Sequence, residues 1–353
     1  QDPNMVDALH WLSQALRGQG KSVQADELSE MAARRDPLNG AVAVNVARKS
    51  ARRGDFETAE RHLLRLLEIP RPGSSPYWVL QVLYRHTGRL ADMNALAKRQ
   101  ALHGGAYYGL IDSYALFGLW DESDYWANRM VVDMPDNPWA STVPAWIPYY
   151  QGGYKESLDL WDRMLAEEGR TLVEVPHMWA LYYGDTQALS GDFDGAIRTL
   201  EPLIGPPESI KVGEFHWSTV DILHSLAWSY QQVGIPDEAR ALLEEIEEQV
   251  EAMKQRGFLH GSNNLFFSAR NALLLGNIDL AVSRLEKAIE AGWRDYYIQR
   301  PDPRWSALAD NPRYQALMAE VKADVDRQRV EVEREDAEED FPAKLDVARA
   351  LRE

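Results

Sequence analysis

The chain has 353 residues, 45% hydrophobic and 10% aromatic, enough apolar material for two or three ordinary domains or one long array. Thirty-eight basic groups against 55 acidic ones leave a net charge of −17, which argues against nucleic acid or an anionic membrane surface as a partner of this segment. Cysteine is absent, which excludes disulfides and thiolate chemistry and suits an oxidising compartment. No apolar run reaches the roughly eighteen residues that span a bilayer, and no signal-peptide pattern opens the chain. Residue 1 is Gln, as expected of a fragment or a processed product whose Gln1-Asp2-Pro3 is a remnant of its origin.

In chain order, one pattern recurs: a glycine followed five residues later by a small residue. It pairs Gly20 with Ala25, Gly54 with Ala59, Gly118 with Ser123 and Gly152 with Ser157, then Gly191 with Ala196, Gly234 with Ala239 and Gly276 with Ala281. Gly88 fits by position but has Met93 in the small slot. Successive glycines lie 34, 34, 30, 34, 39, 43 and 42 residues apart, too regular for chance. Each glycine is flanked by two stretches of helical period, AVAVNVARKSARR before Gly54 and DFETAERHLLRLLE after it. The glycine ends the first helix, because it enters the left-handed region without a steric penalty.

Small residues at Ala47, Ala59, Ala227, Ala239 and Ala281 let the paired helices approach, and Leu63, Tyr84, Tyr114, Trp161, Tyr230 and Leu285 fill the space between them. Pro37, Pro70 and Pro135 close second helices. In the fifth unit Pro144 and Pro148 predict a short or kinked first helix, and IGPPESIKVGEFHWS, 204–218, is a long linker. After the eighth unit, Leu317, Val321 and Val325 predict an amphipathic helix capping the end of the stack, and EVEREDAEED at 331–340 reads as a solvated acidic extension.

Recurring together, these glycine, alanine, aromatic and proline positions resemble the tetratricopeptide repeat, a helix-turn-helix unit of 34 residues. The resemblance implies an all-α, right-handed superhelical solenoid of about eight units over 5–300, a capping segment and helix over 301–330, and an acidic extension over 331–353. Gly-Trp at 292, Asp-Pro at 302, a short helix and Asn-Pro-Arg-Tyr at 311 resemble the end of bacterial repeat-bearing sensors. In those proteins the repeats are fused to membrane-spanning winged-helix transcription regulators or to class III adenylate cyclases. The opening PNMVDALHWLSQALRGQGK is similar to their first repeat. That likeness implies a sensory region on the periplasmic side of an inner-membrane protein, with the cytoplasm as the alternative.

Chemistry-bearing motifs are missing. There is no phosphate loop, no His-Glu-x-x-His and no nucleophile elbow. His216 and His224, eight apart without a sulfur ligand, fit ordinary packing better than a metal site. Glu244-Glu245 and Glu247-Glu248 flank the apolar Leu242, Leu243 and Ile246 and read as a solvated helix face. The expectation is a non-enzyme without metal or cofactor.

The family's first helices line a concave surface through their second, fifth, ninth and twelfth positions. That register points to Arg48; Trp78 and Arg85; Tyr108 and Asp112; and Trp139, Trp146 and Tyr149. It continues through Asp185, His224 and Trp228 to Phe266 and Arg270. Aromatics interleaved with arginines suit an extended protein or peptide segment held by stacking and bidentate hydrogen bonds. Packing between repeats explains the same residues equally well. The family's carboxylate clamp is unmatched: Asn45 sits at one clamp position, but His10 and Gln14 stand where that clamp has Lys and Asn. A small-molecule receptor built on the fifth unit and a homo-oligomerisation module are the rival functions.

Overall fold

The computed structural model describes residues 3–18, 22–36, 39–68, 75–204, 217–255 and 261–352. Gly20, Pro37, Pro70, His216 and the centre of the 204–218 linker lie outside the described residues. Sixteen helices pair in chain order. They begin with α1 (Pro3–Gly18) and α2 (Ser22–Arg35), α3 (Gly40–Arg52) and α4 (Phe56–Leu66), α5 (Ser75–His86) and α6 (Leu90–Leu102), and α7 (Tyr108–Leu116) and α8 (Trp120–Asp133). The later pairs are α9 (Trp146–Gln151) and α10 (Tyr154–Glu168), α11 (His177–Ser190) and α12 (Phe193–Ile204), α13 (Trp217–Val233) and α14 (Pro236–Gln255), and α15 (Ser262–Leu274) and α16 (Ile278–Glu290). No strand occurs among the described residues, and the chain is an all-helical repeat solenoid.

The turn chemistry follows the sequence. The seven described turn glycines, Gly54, Gly88, Gly118, Gly152, Gly191, Gly234 and Gly276, have φ between 68° and 92°. The small residue five positions on is fully enclosed at Ala25, Ala59, Ser123, Ser157, Ala196, Ala239 and Ala281. Ser123 and Ser157 each donate a 2.8 Å hydrogen bond to a first-helix carbonyl, of Ile111 and Ala145 respectively. A hydroxyl therefore replaces the methyl of alanine without leaving an unpaired polar atom. The fifth first helix is broken as its prolines predict: a 3₁₀ turn, Val143–Ala145, precedes the six-residue α9.

Beyond α16 the chain departs from expectation. A strap of residues 292–308 contains α17 (Tyr296–Gln299) and a 3₁₀ stretch (Pro303–Leu308), and leads into α18 (Pro312–Glu338) and α19 (Phe341–Ala350). α18 buries Leu317, Val321 and Val325, yet it does more than cap the last unit. It runs from α16 across to α6, where Gln328 accepts from the backbone N–H of Leu90 at 2.8 Å and donates to the carbonyl of Gly88 at 2.8 Å. The α6 N-terminus, which has no local side-chain cap, is thus capped from 238 residues away.

The acidic extension is corrected. Residues 331–338 are helical, Val332 is buried, and Asp336 bonds Lys98 at 2.5 Å and the Tyr114 hydroxyl at 2.9 Å. In α19, Phe341 rests on Trp126 with ring centroids 5.6 Å apart, Leu345 is fully buried, and Arg349 pairs with Asp133. Charge density suggested solvation. The apolar Val332, Phe341 and Leu345, spaced through it, buy the packing instead.

Candidate functional site

The strap lies against the first-helix face, past the turn ends of α5, α7 and α9 and then against mid-helix residues of α11, α13 and α15. Two turn glycines make room for it. A Cβ on Gly118 would meet the Tyr297 ring at 2.7 Å, and one on Gly152 would meet Pro301 at 2.6 Å. Asp295 accepts a fork from Arg85, with Nε at 3.2 Å from both carboxylate oxygens and Nη2 at 2.7 Å from Oδ2. Burial opposes the Arg85 charge, but the Asp295 carboxylate more than offsets it and holds the guanidinium above its ordinary range. Next to it, burial and then the Arg85 charge push His86 down to about 4. Asp112, which accepts from the Tyr150 hydroxyl at 2.9 Å, is raised by burial against the opposing pull of Arg85.

A second knot joins units 5 to 8. The Arg304 guanidinium, 3% exposed, reaches Asp302 at 2.8 Å, Asp185 at 3.2 Å and the Ser225 hydroxyl at 3.0 Å. Tyr149 donates to the other oxygen of Asp185 at 2.5 Å. Arg270, 2% exposed, lies 3.9 Å from Asp302 and donates from Nε to His224 Nδ1 at 3.1 Å. His224 Nδ1 must therefore be the acceptor, and its Nε2–H donates to Asn271 at 3.3 Å. Enclosure, then the Arg270 and Arg304 charges, hold this imidazole neutral, well below its usual range. Asn271 continues through Glu247 to Arg284, 2.8 Å away. Removing one member would strand its partners in a low dielectric.

The aromatics fall into two groups. Trp146 lies between Tyr108 and Tyr182, each 6.2 Å away at 26° and 31°, with Trp139 edge-on at 6.0 Å. Trp139 in turn meets Trp179 at 5.9 Å. The buried indole N–H groups of Trp146 and Trp179 have no acceptor among the described residues. Farther toward the N-terminus, Trp78 is 50% exposed and the Arg48 guanidinium sits 5.5 Å above its ring. Trp228 stands apart from both groups, edge-on to Phe193 at 5.2 Å.

A scan of protein families matches the tetratricopeptide repeat at residues 222–245. The match falls on the α13–α14 hairpin and includes Gly234 and Ala239, the turn pair that recurs along the chain. The α13–α14 hairpin thus matches one tetratricopeptide repeat, and its turn pair recurs along the all-helical array. Among solved structures it is similar to a tetratricopeptide repeat protein from Parabacteroides merdae, at 16% identity and a TM-score of 0.37, over 85% of this chain and 98% of that one. A comparison with curated proteins finds no significant match.

The strap determines which parts of the first-helix face meet the chain itself. Of the residues singled out from sequence, Arg85, Tyr149, His224 and Arg270 spend polar atoms on the chain's own network. Tyr108, Trp139 and Trp146 come together as one part-exposed cluster, and Arg48 with Trp78 as another. Sequence reasoning missed Asp295, Asp302, Arg304 and Tyr182. The only local signal was the density of charge and aromatics in WRDYYIQRPDPRW, which a solvated linker would not need. No helix among the described residues is long and apolar enough to cross a membrane, and no cluster of three or more His, Asp or Glu residues is arranged to hold a metal ion.

Proposed function

We propose that the chain binds an extended protein or peptide segment on the part of the first-helix face that its own strap leaves uncovered, with Trp78 and Arg48 as anchor. One observation carries the reading. Trp78 stands 50% exposed with the Arg48 guanidinium 5.5 Å from its ring centre, on the same face whose next arginine, Arg85, is taken by Asp295. Tryptophan and arginine are the residues that most often dominate interfaces. The Tyr108–Trp139–Trp146 cluster, one unit farther on, extends the binding stretch, and Arg85, Tyr149, His224 and Arg270 hold the scaffold's shape behind it. Trp228, packed on Phe193, belongs with the scaffold too.

The test is selection of displayed random peptides on the wild-type chain. Peptides that bind it and lose at least about thirtyfold on Trp78→Ala or Arg48→Ala, with helicity unchanged, support the site. Binders indifferent to both substitutions overturn it. The wider setting we propose is the sensory, partner-binding region of a bacterial signalling or transcription regulator, on the periplasmic side of the inner membrane. It is supported by the likeness of the opening segment and of residues 292–314 to such sensors. A full reading frame encoding neither a membrane helix nor an output domain would sink that setting and leave the peptide site standing.

A further inference from the structure

The Arg48–Trp78 pair sits in a basic stretch of an acidic chain. From the start of α3 to the end of α6, residues 40–102, there are eleven basic and five acidic groups, a net of +6. The remaining residues therefore carry −23 of the total −17. The first helices of this stretch, α3 and α5, hold Arg48, Lys49, Arg52 and Arg85 and not one Asp or Glu. Carboxylates do stand on the first helices α1, α7, α11 and α13, at Asp7, Asp112, Asp185 and Asp221.

Where carboxylates reach the cations of α3 and α5, they come from other elements. Glu30 of α2 pairs with Lys49, and Asp295 of the strap takes Arg85 in the fork described above. The second pair shows what this wall accepts from a segment laid across it. That segment offers a carboxylate, followed directly by the rings of Tyr296 and Tyr297.

We infer that the segment bound at Arg48 and Trp78 is acidic, an Asp or Glu next to an apolar or aromatic side chain; the inference rests on the peptide-binding reading above. The carboxylate meets the basic wall at Arg48, and its apolar neighbour covers the exposed half of Trp78. A hydrogen bond between two charged groups is roughly twice as strong as a neutral one, so charge outweighs the other polar contacts in selecting the segment. The rest of the molecule narrows the choice further. An acidic segment is repelled by the −23 spread over the other residues and attracted along α3 to α6. At physiological salt the distant repulsion fades over about 8 Å, whereas a carboxylate in contact with the wall keeps its attraction. A basic segment meets the opposite field, drawn to the acidic body and turned away from this site.

Peptides selected on the wild-type chain from a random display, and shown to depend on Trp78, test the charge. Each is remade with every Asp and Glu replaced by Asn or Gln, and both forms are titrated by fluorescence anisotropy. The selected peptides are expected to be net negative, and their amide copies at least about tenfold weaker. This comparison needs no variant of the protein. Arg48→Gln, with helicity unchanged, should then cost the acidic form about tenfold and the amide copy under about threefold, which ties the carboxylate to that guanidinium. Trp78-dependent peptides that are neutral or basic overturn the acidic class and leave the Trp78 site standing. So do amide copies that bind within about threefold of their parents. Binders indifferent to Trp78→Ala, or no binders at all, remove the site itself and this inference with it.

Discussion

Units 1 and 2 and units 3 to 8 are written in one repeat grammar and end in different physical states. In units 3 to 8 the polar groups of the first helices meet the strap, as Arg85 meets Asp295 and Asp185 meets Arg304. Toward the N-terminus Met5, Trp11, Leu12 and Met31 remain exposed in units 1 and 2, and Trp78, near the start of unit 3, stands half in water with the Arg48 guanidinium 5.5 Å from its ring. Within α5 that face is a core at Arg85, where the strap returns to it, and a surface at Trp78, 50% exposed. Which residues are available to a partner depends on the path of residues 292–308, not on the repeats.

The sharpest way to break the comparison is Arg304→Ala. It leaves the Asp185 and Asp302 carboxylates buried without their shared cation, which costs about 3–5 kcal/mol. Urea denaturation should show that loss. A change of under about 1 kcal/mol would mean that the strap is a passive linker.

Acid comes next. His86 and His224 are neutral when folded and would each take up a proton near pH 6.5 when unfolded. Each folded value lies below the unfolded one, so their contribution is complete above about pH 6.5. It is lost as pH falls, for His86 down to about 4, at up to about 1.4 kcal/mol per pH unit per histidine. Asp112, raised by burial, acts in the opposite sense toward the acid end. The carboxylates held below their ordinary range, such as Glu247 and Asp133, matter only below about pH 4.5. The urea midpoint should therefore fall between pH 7 and pH 5. A flat profile there would show that the strapped half contains no neutral histidine.

Within unit 2, Ala59→Trp forces a large ring into a site with no exposure and costs about 1–3 kcal/mol or more, whereas Glu57→Ala, at a side chain 92% exposed, stays within about 0.5 kcal/mol. Equal melting temperatures for the two would refute the repeat register. Smallest of all is the expected effect of Trp78→Ala on stability, within about 0.5 kcal/mol, because the ring is half in water. A loss of 2 kcal/mol or more, on the order of a buried side chain, would make Trp78 a core residue and close the open half of the comparison.

The repeat was legible in the sequence because its requirements are local. Gly54 must reach φ 79° within its own turn, Ala59 must be small where two adjacent helices touch, and Pro144 and Pro148 shorten the helix that contains them. Composition and spacing carry such constraints in plain view. Tertiary structure alone decided the fate of the predicted groove. Asp295 lies 210 residues from Arg85, and Arg304 lies 119 from Asp185. An ion pair between residues so far apart leaves no periodic trace, since either member reads by itself as an exposed charge. For the same reason EVEREDAEED read as a solvated tail, although Asp336 is held by Lys98 and Tyr114 and Val332 is buried. Local sterics write the helix pairs into the sequence, whereas desolvation belongs to the packed whole, and here it decided which charges face water and which face one another.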